Sequence, residues 1–408
     1  MRYQWQFWVI IGTITLGSLV SIVIPLFYKR FFDLLMLADS LPKAVLVGNL
    51  KHVILVVLGM NGLLWLLYRV ASFVNNYFQP RVMADLANTC FDYLHGHSLG
   101  FFSNRFVGSL VRRVGRLVAA FEYVCDTFYW NLLQTFIRIT ASLVVIFIGF
   151  PRIGWAVFVW VVVYLVINYA LALKKMTYDA ASAAADSRVT GYLADTITNS
   201  STVKLFSAQE FEGKGFRRHT DEQFMLTKRS WDFDATVEAV QFVFMMLLEF
   251  FVFWLAIGYW QQAQLGVGDF VLVQTYLIQM FDRLWDVGRT VRKLYQKLAD
   301  AQEMTEILDQ EHQVRDVPGA KALKVSAGQV CFNQVTFSYG GKRAALKDFD
   351  LCVQPGERVG VVGYSGAGKT TLVGLLLRFY DLTGGSITID GSDISQVTQN
   401  SLRQSIGF

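Results

Sequence analysis

Long runs of apolar residues, each about the length needed to cross a bilayer, dominate the first two thirds of the chain. A bilayer core about 30 Å thick requires about 20 apolar helical residues. Five runs meet this length with at most one charge, and a sixth fades into a charged segment. The predicted spans are Phe7–Tyr28, Val53–Val74, Tyr129–Phe150, Ile153–Leu173, Ala239–Trp260 and Phe270 to about Trp285. The pattern therefore predicts six transmembrane helices, with both ends of this region on one side of the membrane.

Two of the connections between these spans are long, polar and helically patterned. Residues 75–128 and 174–238 carry most of the clustered basic residues, which places them in the cytoplasm by the positive-inside rule. Long loops on one side alone indicate that the membrane helices continue well past the bilayer there. Segments 98–120 and 190–212 are the expected points at which such extensions contact a cytoplasmic domain.

The pattern changes after Leu323. Apolar and polar residues alternate through Gln329–Tyr339, which predicts a strand. Phe349–Val353 and Ser386–Ile389 are further predicted strands, and the run Arg358–Val362 predicts a buried one. A soluble α/β domain is therefore expected after the membrane region.

Composition agrees with a protein that lipid solvates in part. Hydrophobic residues make up 53% and charged residues 17% of the 408 positions, whereas soluble domains have about 25% charged residues. The net charge of +5 is modest, so no nucleic-acid partner is expected. The four cysteines are widely spaced without a C-x-x-C pair, so neither a zinc site nor a disulfide framework is expected. We interpret them as four unrelated thiols in a reduced compartment.

Residues 363–370 match the phosphate-binding pattern G-x-x-x-x-G-K-[ST]. A glycine-rich loop lets successive backbone N–H groups point at phosphates, and the helix predicted from about Lys369 to Phe379 presents its positive dipole end to the same anion. Lys369 would add a full charge at the β- and γ-phosphates, and the Thr370 hydroxyl would ligate Mg²⁺. ATP and Mg²⁺ are therefore the expected cofactors. The candidate nucleotide-binding residues of this segment are Gly363, Ser365, Gly366, Ala367, Gly368, Lys369, Thr370 and Thr371, with Thr370 also the candidate metal ligand.

Together with this loop, Tyr339 gives the chain a resemblance to the ATP-binding cassette (ABC) exporters. Tyr339 lies thirty residues before Lys369 and ends a segment similar to the family's aromatic loop. The resemblance implies that Tyr339 stacks on the adenine ring. Further segments that resemble the family are Pro25–Asp33, Ala194–Glu212, Gly268–Phe270, Gly385–Gly391 and Ser401–Phe408.

The resemblance implies an α-helical membrane domain of six helices, exporter type, followed by a partial P-loop α/β domain. The expected boundaries are 1–308 for the membrane domain with its cytoplasmic extensions, 309–328 for a linker, and 329–408 for the first part of the cassette. It also implies a dimer with a second copy or a homologous half-transporter, because the family binds ATP between two cassettes.

The family's hydrolytic groups are expected beyond this sequence. They are a glutamine just after the segment where it stops, the LSGGQ signature, the catalytic glutamate and a switch histidine. Hydrolysis needs a group that orients water and one that stabilises developing charge, so we predict no catalytic residue within 1–408. An incomplete piece of a longer protein and a natural truncated regulator both remain open.

The leading functional hypothesis is an ATP-driven exporter or flippase subunit. It would be a multi-pass protein of the plasma (inner) membrane, with its termini and cassette in the cytoplasm. The alternatives are an importer on exporter-like helices, and a non-hydrolysing nucleotide-gated channel or regulatory fragment. Arg138 and Glu249 lie within apolar spans, where a charge costs about 2.5–3.5 kcal/mol on insertion scales. They are expected to face the bundle interior or a wet cavity, or to reach a headgroup region. The transported substrate stays unidentified.

Overall fold

The computed structural model describes residues 3–39, 42–103, 105, 107–339, 344–364 and 366–407. Ser365 and Phe408, both named above, lie outside the described residues. The chain divides into two compact units. The first comprises Met1–Val82 and Phe121–Leu298, and the second comprises Met83–Ala120 and Ala299–Phe408.

Long helices form the whole of the first unit. In lipid every backbone polar group must be bonded internally, which is why apolar runs of this length form helices. The helices that contribute to it are α1 (Gln4–Met36), α2 (Lys43–His95), α4 (Val107–Asp126), α5 (Leu133–Gly149), α6 (Pro151–Thr198), α7 (Ser200–Leu205), α8 (Gln209–Gln261), α9 (Val267–Trp285) and α10 (Val287–Leu308). A π-helical turn, Thr127–Leu132, joins α4 to α5. Pro151 is the first residue of α6, a position that tolerates the missing N–H.

Within the described residues, five helical stretches are long and apolar enough to cross a membrane. They are α1, α2, the continuous stretch Val107–Gly149, α6 and α8. The sixth predicted span coincides with α9, which has 19 residues and carries charges at Asp269, Asp282 and Arg283. The predicted helical membrane region is therefore present, and α9 is the predicted span that falls outside these five stretches.

The core of the first unit lies around α9. This helix packs against α1 and α5, and α6 packs along α8. Tyr276 and Leu277 of α9 are fully buried with Val157 and Val252 in one apolar cluster. The Tyr276 hydroxyl donates to the Ile22 carbonyl oxygen at 2.7 Å, so the phenol satisfies its polar atom inside the core.

The second unit contains a small antiparallel sheet. Its strands are β1 (Val330–Ser338), β2 (Ala344–Val353), β3 (Gly384–Ile389) and β4 (Ser392–Asp393), in the order β2-β1-β3-β4. The unit also contains α3 (Leu99–Ser103), α11 (Lys369–Leu376) and α12 (Gln399–Gln404). Val335, Leu375, Ile387 and Leu402 are fully buried in the core that the sheet forms with α11 and α12. Three of the four predicted strands correspond to β1, β2 and β3.

The fourth predicted strand, Arg358–Val362, is wrong. The segment is irregular and exposed, and Val362 is 92% exposed. A buried run of this kind belongs in the middle of a parallel sheet, which requires neighbouring strands on its edges. The strands among the described residues pair antiparallel with one another and give this segment no such neighbour.

The expectation of four unrelated thiols is also wrong. Cys331 and Cys352 form a disulfide, whereas Cys90 and Cys125 are free. The register of β1 and β2 places Cys331 directly opposite Cys352. The spacing of 21 residues in sequence hides this proximity, because it depends on where the hairpin turns.

Candidate nucleotide-binding site

The loop before α11 has the backbone conformation that its glycines permit. Gly366 and Gly368 have φ angles of +84° and +83°, which L residues with side chains rarely adopt. A Cβ on Gly368 would lie 2.9 Å from the Ala345 carbonyl oxygen. The Ala367 N–H donates to the Tyr364 carbonyl oxygen at 3.1 Å. The loop therefore turns sharply at the N-terminus of α11 and leaves its outer face open.

Lys369 extends its side chain back along this loop. Its Nζ donates to the carbonyl oxygens of Gly363 and Tyr364, at 2.7 and 2.8 Å. The ammonium is thus held at the N-terminal end of α11, where the helix dipole also favours an anion. Thr370 next to it is exposed, so its hydroxyl is accessible to a ligand on that side.

Tyr339 and Thr371, two candidate nucleotide-binding residues, are brought into contact. The Tyr339 hydroxyl and the Thr371 Oγ1 are 3.1 Å apart and share a hydrogen bond. Thr371 is buried, so its role in this arrangement is to hold the phenol. The Tyr339 ring packs edge-on against Phe337 and Tyr380, at centroid distances of 4.8 and 5.3 Å. It remains 48% exposed, which leaves ring surface free for a second aromatic system.

An open cavity of about 600 Å³ connects these groups. Its lining includes Tyr339, Lys369, Thr370, Val373 and Tyr380. Pockets for drug-sized ligands have about this volume. The amine, the helix N-terminus, the glycine loop and the aromatic ring together suit the phosphates and base of a nucleotide. Of the residues predicted for the site, Ser365 alone lies outside the described part of the chain.

Tyr380 also lines this cavity, and no sequence motif marks it. Besides Tyr339, it contacts α3, where a Cβ on Gly100 would lie 2.9 Å from its Cε1. Burial is the main cause that raises the pKa of Tyr380, and the neighbouring Tyr339 adds to it. The sequence feature that could have identified Tyr380 is the aromatic pair Phe379-Tyr380, which lies shortly after the end of α11.

Arg378 connects several segments of the second unit, and no sequence motif marks it either. It is buried, and its guanidinium donates to the carbonyl oxygens of Arg315, Ile394 and Val397. Its Nε donates to Asp381 at 3.1 Å. One side chain therefore fixes the segment before β1, the turn after α11 and the segment before α12.

Two histidines lie where α2 ends against the segment before β1. The His97 ring stacks on Phe101 at 3.9 Å and meets the His312 ring edge-on at 4.5 Å. Burial, followed by repulsion from His312 and Arg105, lowers the pKa of His97 to about 4. The His312 Nε2 lies 2.9 Å from the Tyr93 carbonyl oxygen. The junction is thus packed around an uncharged His97.

In the membrane unit, two segments flagged by their resemblance meet. The Gly268 N–H donates to Asp33 Oδ1 at 3.1 Å, and Lys29 forms an ion pair with Asp269. A Cβ on Gly268 would collide with Asp33 and the Lys29 backbone. The start of α9 is therefore fixed to the end of α1.

The two charges within apolar spans have polar partners. An Arg138 Nη donates to the Tyr68 hydroxyl at 3.1 Å, and Gln274 donates to Glu249 at 2.6 Å. Asn168 and Gln241 form a further bond between α6 and α8. Both charges are therefore bonded to polar groups of neighbouring helices, Tyr68 of α2 and Gln274 of α9.

Lys175 lies in the polar segment 174–238, yet it is 2% exposed. Its Nζ lies 3.0 Å from Asp179 and 2.9 Å from Asp234, and donates to Ser230. Arg292 approaches the same two carboxylates at 3.9 and 3.7 Å. This cluster joins α6, α8 and α10 inside the first unit.

Comparison with known proteins agrees with the geometry. The family described as "ABC transporter transmembrane region" matches residues 7–284, and the family described as "ABC transporter" matches residues 346–408. An ATM1-type heavy metal exporter of Novosphingobium aromaticivorans is 31% identical over 402 residues, which are 97% of this chain and 65% of that protein. ATP-binding cassette sub-family B member 6 of Rattus norvegicus is 28% identical over 413 residues, 97% of this chain and 48% of that protein.

A solved structure shares the architecture. It is a bacterial Atm1-family ABC exporter with ATP bound, with a TM-score of 0.79 and 28% identity, and the match covers 100% of this chain and 72% of that one. The chain thus spans about half to two thirds of the length of the curated relatives described above.

Proposed function

Because the chain belongs to the ABC transporter family and is an integral, multi-pass membrane protein, we propose that it forms one half of an ATP-driven exporter. The observation that carries the proposal is that Tyr339, bonded to Thr371 of α11, and Lys369, held along the glycine loop, line one cavity. Tyr339 would stack on adenine, and the N–H groups of residues 363–371 with the Lys369 amine would bind the phosphates. Thr370 would supply one ligand to Mg²⁺, with phosphate oxygens as the others.

The proposed boundaries are a membrane domain at 1–308, a linker at 309–328 and a cassette from 329. The helices would lie in the plasma (inner) membrane with the cassette in the cytoplasm. Two such halves, identical or homologous, would bind ATP between their cassettes. The transported substrate would cross the membrane when the helices of the two halves change their packing.

Contacts inside the second unit connect the proposed nucleotide site to the long helices. Tyr339 contacts Tyr380, and Tyr380 contacts α3 at Gly100. α3 lies between α2 and α4, and Arg116 of α4 makes a bidentate pair with Glu303 of α10, at 3.0 and 2.6 Å. Planar pairs of this kind fix geometry as well as energy. A change at the base-stacking ring would therefore reach three long helices through packed side chains.

The proposal is tested by measuring MgATP binding to the purified chain by calorimetry. Lys369→Ala is expected to weaken binding by at least about tenfold, because the loss of one charge-assisted contact costs about 1.5–3 kcal/mol. Lys347→Ala, which removes an exposed lysine of β2 in the same unit, is the matched control and should bind as the unsubstituted chain does. Equal affinity of the two variants would contradict a nucleotide site at this loop.

A further inference from the structure

The functional site leaves Cys331 and Cys352 without a role. They face each other on β1 and β2 with Cα atoms 4.1 Å apart, and their sulfur atoms are bonded. The pairs on either side, Val330 with Val353 and Phe332 with Leu351, are in register. Directly opposed residues of an antiparallel pair approach this closely in the non-hydrogen-bonded position. The regular base of the hairpin therefore brings the two sulfurs together.

The pair lies on the accessible face of the sheet. Successive side chains of a strand point to opposite faces, and Phe332 next to Cys331 is in the buried core. Cys331 is half-buried and Cys352 is exposed. The Gln354 Nε2 lies 3.9 Å from the Cys352 Sγ, a weak donor to this sulfur. A small thiol or disulfide can therefore reach Cys352 first.

The compartment decides what such a pair does. In the proposed orientation, on which this step rests, the sheet faces the cytoplasm. Glutathione keeps cytoplasmic thiols reduced, and disulfides there are usually transient and redox-sensing. We propose that Cys331 and Cys352 form a reversible thiol–disulfide couple that exchanges with low-molecular-weight disulfides.

The exchange is balanced in two displacement steps. The Cys352 thiolate attacks one sulfur of a small disulfide RSSR, the S–S bond breaks, and RS⁻ leaves with the electron pair. The Cys331 thiolate then attacks Cys352 Sγ in the mixed disulfide, and a second RS⁻ leaves. The two protein protons end on the two RSH molecules. Two electrons pass from the protein to RSSR, and an excess of RSH reverses both steps.

Oxidation would restrict opening of the β1–β2 hairpin, which carries Tyr339. β2 is an edge strand that pairs only with β1 among the described strands. Beyond Phe332 this pairing is irregular, with register shifts and positive φ angles at Gln334 and Asp348. The disulfide closes the segment between the two cysteines, which contains Tyr339. It therefore holds β2 against β1 at the base of the hairpin, whereas the rest of their pairing is irregular.

The test uses the full chain in detergent, equilibrated with mixtures of reduced and oxidised glutathione. The samples are quenched in acid, unfolded, alkylated and analysed by peptide mass spectrometry. Cys331 and Cys352 are expected to lose alkylation together and to appear in one cross-linked peptide, and this change should reverse in reduced glutathione. Cys90 and Cys125, which are free, serve as internal controls. Alkylation of both cysteines at every ratio would overturn the proposal, as would a bond that survives the most reducing mixture.

Two variants separate the couple from independent thiols. Cys331→Ser removes the resolving thiol, so Cys352 should accumulate a glutathione mixed disulfide, whereas Cys90→Ser should leave the couple unchanged. Absence of the mixed disulfide on Cys352 would overturn the assigned order of attack. In the unsubstituted chain, oxidation should slow amide hydrogen exchange in β2 by about tenfold or more, because opening of the edge strand becomes rarer. No nucleotide is needed, so failure of MgATP binding would leave this result readable.

Discussion

At the scale of single residues, Tyr339 combines a fixed phenol with an accessible ring. Thr371 holds the hydroxyl, and the ring edge packs on Phe337 and Tyr380. Stacking of a base on an aromatic side chain is worth about 1–3 kcal/mol. Tyr339→Leu should therefore weaken MgATP binding, measured by calorimetry, by about 5- to 150-fold. Tyr339→Phe keeps the ring and should bind within a few-fold of the original chain. Equal binding by the leucine variant would exclude base stacking at this position.

His97 gives the protein a dependence on pH that is separate from nucleotide binding. Its pKa is about 4 instead of the ordinary 6.5 because the ring is buried beside His312 and Arg105. The unfolded chain therefore takes up the proton first as pH falls. The stability contributed by neutral His97 is complete above pH 6.5 and is lost progressively toward pH 4. Between pH 7 and pH 5 this amounts to about 2 kcal/mol.

His97→Phe should remove this part of the pH dependence while keeping the stack on Phe101. The measurement is the unfolding midpoint of each protein at pH 7 and pH 5, followed by fluorescence in detergent. The unsubstituted chain should lose more stability on acidification than the variant does. Parallel losses in the two proteins would show that other groups control the acid response.

The residues that sequence could reveal are those whose spacing is fixed by local chemistry. The glycines, Lys369 and Thr370 are contiguous in the chain, so their proximity follows from the sequence itself. Lys175, Arg378 and the cysteine pair act through partners that are distant in the chain. Lys175 reads as a loop lysine because its partners outside its own helix, Ser230 and Asp234, lie on α8. Such pairings become visible only when the packing of the elements is known.

At the scale of elements, the charged cluster around Lys175 fixes three helices to one another. Removal of its ammonium would leave Arg292, at 3.7 Å or more, as the remaining cation beside Asp179 and Asp234. Removing one partner of a buried ion pair typically costs 3–5 kcal/mol. Lys175→Met should therefore lower the thermal unfolding midpoint of the chain by several degrees. Lys174→Met, at the adjacent exposed position, is the control and should have little effect. Similar midpoints for both variants would show that the cluster contributes no net stability.

Elements were predictable to the extent that their partners are local. Apolar runs of bilayer length form helices by themselves, so five spans and the polar sixth were visible without tertiary information. Arg358–Val362 has the composition of a strand, yet a strand exists only through pairing, and the described strands do not pair with it. The helical extensions beyond the apolar runs followed from loop length and charge, and α2, α6 and α8 do run to 53, 48 and 53 residues.

At the scale of the whole molecule, the proposed exporter requires a second half. α7 and the residues around it present apolar side chains without cover in the first unit. Leu205, Phe206 and Phe211 are 80%, 74% and 75% exposed. These residues lie in Ala194–Glu212, one of the segments that resemble the family, well past the apolar part of α6. In the proposed dimer this surface would pack on the cassette of the other half.

Replacement of this surface should therefore weaken association between two copies. Burial of one large apolar side chain is worth about 1.5–3 kcal/mol, so Leu205→Asp with Phe206→Asp should raise the dimer dissociation constant by at least about tenfold. Light scattering of the detergent-solubilised chain at a series of concentrations measures the change. Phe224→Asp, on an equally polar stretch of α8 and 63% exposed, is the control for added charge. If the dimer tolerates the double substitution as well as it tolerates the control, the contact between the halves lies elsewhere. If the unsubstituted chain stays monomeric at every concentration, the second half is not another copy of this chain. α7 connects the end of α6 to the start of α8. Loss of the contact between α7 and the other half would therefore also uncouple the movement of the cassettes from that of the membrane helices.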